Sequence, residues 1–200
     1  MTTEAGPRAA EWSAAIGDLA AHAARSVVLV RGSRGGAGSG VIWDRPRLIV
    51  TNHHVVPGST AEIVSADGRR RQARVVRRAP GLDLAALEVD DDVAGAASIG
   101  DSDALRVGEL VLAVGNPMGE RNAPSLGVVA GAPDDVVRLA MSLRPGNSGG
   151  ALVTAHGEVV GIPHLVAGSG LAMAVATRTV RRFLSDAAPT ETAEAGLAWV

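Results

Sequence analysis

Three short stretches of this 200-residue chain carry residue types that do nucleophilic chemistry when they meet. The first is Arg144-Pro145-Gly146-Asn147-Ser148-Gly149-Gly150. A Ser flanked by glycines sits readily on a tight turn with its hydroxyl exposed. Glycines also let backbone N–H groups converge on one point, as an oxyanion hole requires. The second is Leu48-Ile49-Val50-Thr51-Asn52-His53-His54-Val55-Val56, an apolar strand that ends on two histidines. A Ser hydroxyl is a poor nucleophile until a nearby base takes its proton. His titrates near neutral pH, so it serves first as base and then as acid. The third is Gly81-Leu82-Asp83-Leu84-Ala85-Ala86-Leu87, where an Asp opens an apolar strand. A buried carboxylate there would hold a His ring in one tautomer and stabilise it once charged. Taken alone, each stretch has an ordinary reading: a Gly-rich hairpin loop, a surface or core His, a turn-capping Asp. Taken together, one of the two histidines, Asp83 and Ser148 make a candidate triad for acyl transfer.

Positioning three such groups is the task of the elements around them. Pro7 suits a first helical turn, and Trp12, Ile16, Leu19 and Ala23 then share one helical face. Beyond that helix the texture changes to short β-rich runs punctuated by Gly and Pro. The expected strands are Ser26–Arg31, Gly38–Trp43, Leu48–Thr51, Ala61–Ser65, Arg70–Arg77 and Asp83–Val89, followed by Glu109–Val114, Ser125–Ala130, Val136–Met141, Ala151–Thr154, Val159–His164 and Gly170–Val175. The turn-rich stretch from Ser98 to Gly108 separates the two sets. Six strands, a connection and six more predict an all-β protein of two six-stranded antiparallel barrels, whose closure removes exposed sheet edges. A short terminal helix is expected over Thr179–Leu184. The resulting division is 1–25 helical, 26–100 first barrel, 101–186 second barrel with the terminal helix, and 187–200 a loose tail. The two histidines and Asp83 fall in the first half and Ser148 in the second, so the site is expected in the cleft between barrels.

The order His, Asp, Ser on an all-β chain is that of the chymotrypsin fold, and here the resemblance becomes specific. Gly38-Ser39-Gly40-Val41-Ile42 and the Leu48–Val56 run resemble the strand pair leading to the catalytic His of the HtrA (Deg) branch of trypsin-like serine proteases. Asp83-Leu84-Ala85-Ala86-Leu87 is similar to its Asp segment. Ile99-Gly100-Asp101-Ser102 and Gly108 to Gly119 are similar to its inter-barrel stretch, and Pro145 to Gly150 to its nucleophile loop. The resemblance implies Ser148 as nucleophile, His54 as base and Asp83 as its partner. It also implies an oxyanion hole from the N–H groups of Gly146 and Ser148. The primary pocket would involve Ser142 and Leu143, opposite Gly170, Leu171, Ala172 and Met173. No acid lies among these residues, so small or medium aliphatic side chains are the expected substrates' anchors, with loose specificity. The family implies protein or peptide substrates, no cofactor or metal, and often a homo-oligomer such as a trimer. Two departures stand out: Ala140 replaces an Asp that many members carry, and the tail is too short for the family's usual PDZ domain.

Composition narrows the alternatives. A net charge of −2 argues against a dedicated nucleic-acid binder. With no Cys, disulfides, thiolate metal sites and a Cys nucleophile are excluded. No apolar run approaches bilayer length, so no membrane attachment is expected within this sequence. Ala21-His22-Ala23 mimics a leader cleavage site, but Glu11 and Asp18 interrupt the apolar stretch before it. The chain read by itself is therefore expected in the cytoplasm, or in the periplasm or outside the cell if it belongs to a longer protein. The basic stretch Arg69, Arg70, Arg71, Arg74, Arg77, Arg78 reads as a solvated outer strand, and His156-Gly157 as a hairpin turn. His53 reads as a chemically silent neighbour of His54, with the substrate cleft a second reading for His164. Trp12 is expected to pack on its own barrel, with an oligomer contact as the other reading. A catalytically silent peptide-binding module and an enzyme gated by a partner remain the competing functions.

Overall fold

A computed structural model describes residues 7–164 and 172–185 of the chain. An N-terminal helix, α1 (Pro7–Ala24), leads into β1 (Val27–Gly32), β2 (Ala37–Ile42), β3 (Leu48–Thr51), β4 (Thr60–Val64), β5 (Arg70–Ala79) and β6 (Leu84–Val89). The second set is β7 (Leu110–Gly115), β8 (Ala123–Gly131), β9 (Val136–Ala140), β10 (Ala151–Thr154), β11 (Val159–His164) and β12 (Ala172–Ala176), followed by α2 (Thr177–Ser185). Each set closes into an antiparallel six-stranded barrel. The orders are β1-β2-β3-β6-β5-β4 and β7-β8-β9-β12-β11-β10, so the second barrel repeats the topology of the first. These are the two barrels that the strand count predicted, in the double-barrel arrangement that the resemblance to trypsin-like proteases implied.

The strands read as unbroken apolar runs because many are buried on both faces. On β1, Val28 and Val30 fill the first barrel with Ile42, Ile49, Ile63 and Leu87. Val27, on the opposite face, joins Trp43, Leu48 and Val50 in a second layer with Leu112, Val114, Val153, Ile162 and Phe183. That layer glues the barrels and both helices together. Val111, Val129, Leu139, Leu152 and Val160 fill the second barrel. Ile16, Leu19 and Ala20 dock α1 on the shared layer. Trp12 departs from its expected packing: it is 62% exposed, at the lip of an apolar groove with Leu110 and Leu126. Ile16, one turn further along the helix, is the first of that face to pack against the shared layer.

The basic strand β5 is split in its behaviour. Arg70 and Arg74 pair outward with Glu62 and Asp90. Arg77 and Arg78 turn inward instead. Arg77 lies 5.4 Å from the centre of the Phe183 ring and donates to the Leu184 carbonyl at 3.4 Å. A register shift between Val75 and Arg77 re-aims this end of the strand. No helix among the described residues is long and apolar enough to cross a membrane. The 187–200 tail lies outside the described residues.

Candidate active site

β3 ends at Thr51, and the chain at once turns through a short 3₁₀ segment, His53–Val55. Two bonds to one carbonyl hold that turn in place: the His53 N–H donates to the Asp83 carbonyl at 3.0 Å, and the buried Asn52 amide donates to the same oxygen at 2.9 Å. Asp83 itself closes the Pro80–Leu82 turn with φ 51°, in the left-handed region. Asp is among the few residues that enter this region without large steric cost. The kink turns its side chain back toward His54 before β6 begins.

The result is a two-point contact. The His54 N–H donates to Asp83 Oδ1 at 3.0 Å, and the His54 ring donates through Nδ1 to Oδ2 at 2.8 Å. An ionised carboxylate only accepts, so the proton sits on Nδ1 and leaves Nε2 of neutral His54 bare. Burial works against ionising Asp83. Hydrogen bonds from His164 and His54 outweigh it and hold the carboxyl well below the usual carboxylate range.

Across the cleft, the glycine-rich loop makes two tight turns in succession. The Asn147 N–H donates to the Arg144 carbonyl at 3.0 Å, and the Gly150 N–H to the Asn147 carbonyl at 3.0 Å. Pro145 and Gly146 fill the centre of the first turn, Ser148 and Gly149 that of the second. Gly146 has φ 101° and Gly149 φ 82°, the type II turn position that favours Gly. At Gly149 a Cβ would lie 2.1 Å from the Ser39 carbonyl oxygen, so no side chain fits there. Among the described residues no acceptor takes the Gly146 N–H. Ser148 is 5% exposed. The Asn147 side chain is buried with neither end of its amide paired among the described residues.

Ser39 ties this loop to the first barrel. Its N–H donates to the Ser148 carbonyl at 2.8 Å, and its hydroxyl donates to the Gly146 carbonyl at 2.7 Å. The hydroxyl accepts from the Asn116 backbone at 2.7 Å. A Cβ on the neighbouring Gly38 would meet Val55 Cγ2 at 2.8 Å and the Ser148 oxygen at 2.9 Å, so the His54 turn and the Ser148 loop close on the same strand. Residues 38–162 match the trypsin-like peptidase domain family. The chain belongs to that family. Within it the likeness is to HtrA proteases. The chain is 37% identical over 142 residues to the serine protease Do-like HtrA of Lactobacillus helveticus, covering 62% of this chain and 34% of that one. It is 36% identical over 137 residues to the periplasmic serine endoprotease DegP of Salmonella typhimurium, covering 62% of this chain and 29% of that one. The chain thus spans about a third of the length of these curated relatives. A solved HtrA-type protease, AlgW with a tripeptide, superposes with a TM-score of 0.76 at 29% identity, covering 84% of this chain and 62% of that one.

The remaining expected residues of this HtrA-like domain fall in varied places. Ser142 is exposed and Leu143 half-buried against the core of the second barrel. Ala172 packs into that core. Met173 pairs with His164 across the β11–β12 ladder, so the two share a face. Gly170 and Leu171 lie outside the described residues. His53 accepts from Arg78 Nη1 at 2.9 Å. Burial, with the Arg78 charge second, pushes its imidazole below its ordinary range. Arg78 also donates to the Val56 carbonyl at 2.6 Å and to that of Gly58. It therefore clamps the chain just after His54, a role its place in a basic run does not suggest. His164 is a further contact that spacing does not reveal: its ring lies 3.0 Å from Asp83 Oδ2 through Nδ1.

Proposed function

We propose that the chain is a serine endopeptidase acting on unfolded or flexible protein substrates, with Ser148 as nucleophile, His54 as general base and Asp83 as its orienting carboxylate. The observation that carries this reading is the two-point contact between His54 and Asp83, which leaves the bare Nε2 as the ring's proton acceptor. Family membership supports it. Ser148 Oγ attacks the peptide carbonyl carbon as its proton passes to His54 Nε2, and Asp83 stabilises the imidazolium. The N–H groups of Gly146 and Ser148 take the negative oxygen of the tetrahedral intermediate. His54 returns the proton to the leaving amine, and water then releases the acyl group by the same steps. General-base action contributes ~100- to 10,000-fold, and one oxyanion donor a further ~100- to 1000-fold.

Small or medium aliphatic side chains are the proposed primary anchors, since Leu143 and Met173 are apolar and no acid stands among the residues expected to form the pocket. The periplasmic setting named for the DegP relative supports an exported site of action over a cytoplasmic one. The test is cleavage of unfolded casein by the parent and by Ser148→Ala, with labelling by a fluorophosphonate. Cleavage and labelling lost together in the variant are expected. Equal cleavage by both would remove Ser148 from the mechanism. A parent that neither cleaves nor labels would favour a gated enzyme or a peptide-binding module.

A further inference from the structure

The Asp83 carboxylate receives three donors, and they do not all come from one barrel. The backbone and ring of His54 belong to the first barrel, whereas His164 is the last residue of β11 in the second. Its side chain is 15% exposed, enough enclosure to limit competition from water. The residue before it has a second cross-link, because the Pro163 carbonyl accepts the Gly149 N–H at 3.0 Å. Two consecutive residues of one strand therefore grip two parts of the site. Pro163 holds the turn next to Ser148, and His164 holds the carboxylate behind His54.

We propose that His164 is a positioning residue that sets the Asp83–His54 pair against the Ser148 loop. The carboxylate only accepts, so His164 donates its Nδ1 proton to Oδ2, beside the His54 proton on the same oxygen. With Oδ1 occupied by the His54 N–H, the carboxylate plane is pinned at both ends. Without His164, Asp83 would be held by the first barrel alone and could rotate with His54 away from the nucleophile. A displacement of about an ångström at a catalytic group lowers rate strongly while leaving substrate binding alone. This proposal rests on the peptidase reading for its kinetic test and not for its spectroscopic one.

The variants are His164→Leu, which removes the donor, and His164→Asn, whose amide presents an N–H where the ring Nδ1 stood. In peptide hydrolysis, His164→Leu should lose about tenfold in kcat with KM little changed, and His164→Asn should recover most of it. In proton NMR of the resting protein, the low-field resonance of the His54 Nδ1–H should shift or broaden in His164→Leu and persist in His164→Asn. Should His164→Leu fail to fold, His164→Ala takes its place in both readouts. A kcat equal to the parent's in the donor-less variant, or an Asn variant as impaired as the Leu one, overturns the proposal. So does a His54 resonance indifferent to both. If the parent itself hydrolyses nothing and takes no serine probe, the peptidase reading fails, and the resonance still decides the role of His164.

Discussion

The two barrels share one strand order, yet they deliver their halves of the site by different physics. The first barrel supplies a polar pair in which nearly every group is answered. Asp83 uses its carbonyl for His53 and Asn52 and its carboxylate for His54 and His164. The second supplies a backbone shape: two turns, two glycines at positive φ and an Asn147 amide without partners among the described residues. An unpaired buried polar group costs ~1–3 kcal/mol, which native structures tolerate mostly where a geometry is needed. A charge at a protein interface must be satisfied to stay in place. A hydroxyl and converging N–H groups need only a rigid path for the chain, and here Ser39 from the other barrel supplies the rigidity.

The sharpest way to break the contrast is on the polar side. Asp83→Asn keeps the shape but can donate where the carboxylate only accepted, which favours the wrong tautomer of His54. A fall in kcat of about 10⁴-fold is expected, with the melting temperature as the control for folding. On the shape side, Gly149→Ala forces a Cβ into the Ser39 carbonyl. It should destabilise the protein by more than ~2 kcal/mol in denaturant titration and lower kcat by ~100-fold, as the turn beside Ser148 moves. Ser39→Ala probes the bridge between the two halves. It strips a bond from the Gly146 carbonyl and two from Asn116, its backbone N–H and its side-chain amide, so a loss of about tenfold in kcat and ~1–3 kcal/mol of stability should appear. Smallest is an effect of pH on stability. The native carboxyl of Asp83 titrates below its unfolded range, so its contribution is complete above about pH 4 and fades as the pH falls below that. The gap in melting temperature between parent and Asp83→Asn should therefore narrow on acidification; a constant gap would deny the carboxylate its stabilising role.

Much of this was legible in the residues. Strands such as Leu48–Thr51 and Ala151–Thr154 are buried along their whole length, and they read as unbroken apolar runs between Gly, Pro and Asp. The glycine-rich loop and the Asn52-His53-His54 strand end were visible for the same reason, since their turns are local and need particular residue types. Arg78 and Trp12 misled. Arg78 sits in a run of six arginines that looks solvated, and only the register shift in β5 turns it toward His53. Trp12 keeps the helical spacing of Ile16 and Leu19, but periodicity does not say where the barrel surface ends.

The sequence by itself determined the elements, their order and the chemical types at three turns, because helix and strand periods and turn chemistry act over a few residues. It also determined that Ser148 carries glycines on one side and an Asn on the other, hence the path its backbone takes. Only the tertiary structure decided which of the five histidines touches Asp83. His54 lies 29 residues from it and His164 lies 81 residues away, and barrel closure brings both to one oxygen. A contact made across that separation leaves no period in the chain, because it depends on how two finished barrels pack through the layer around Trp43 and Leu112.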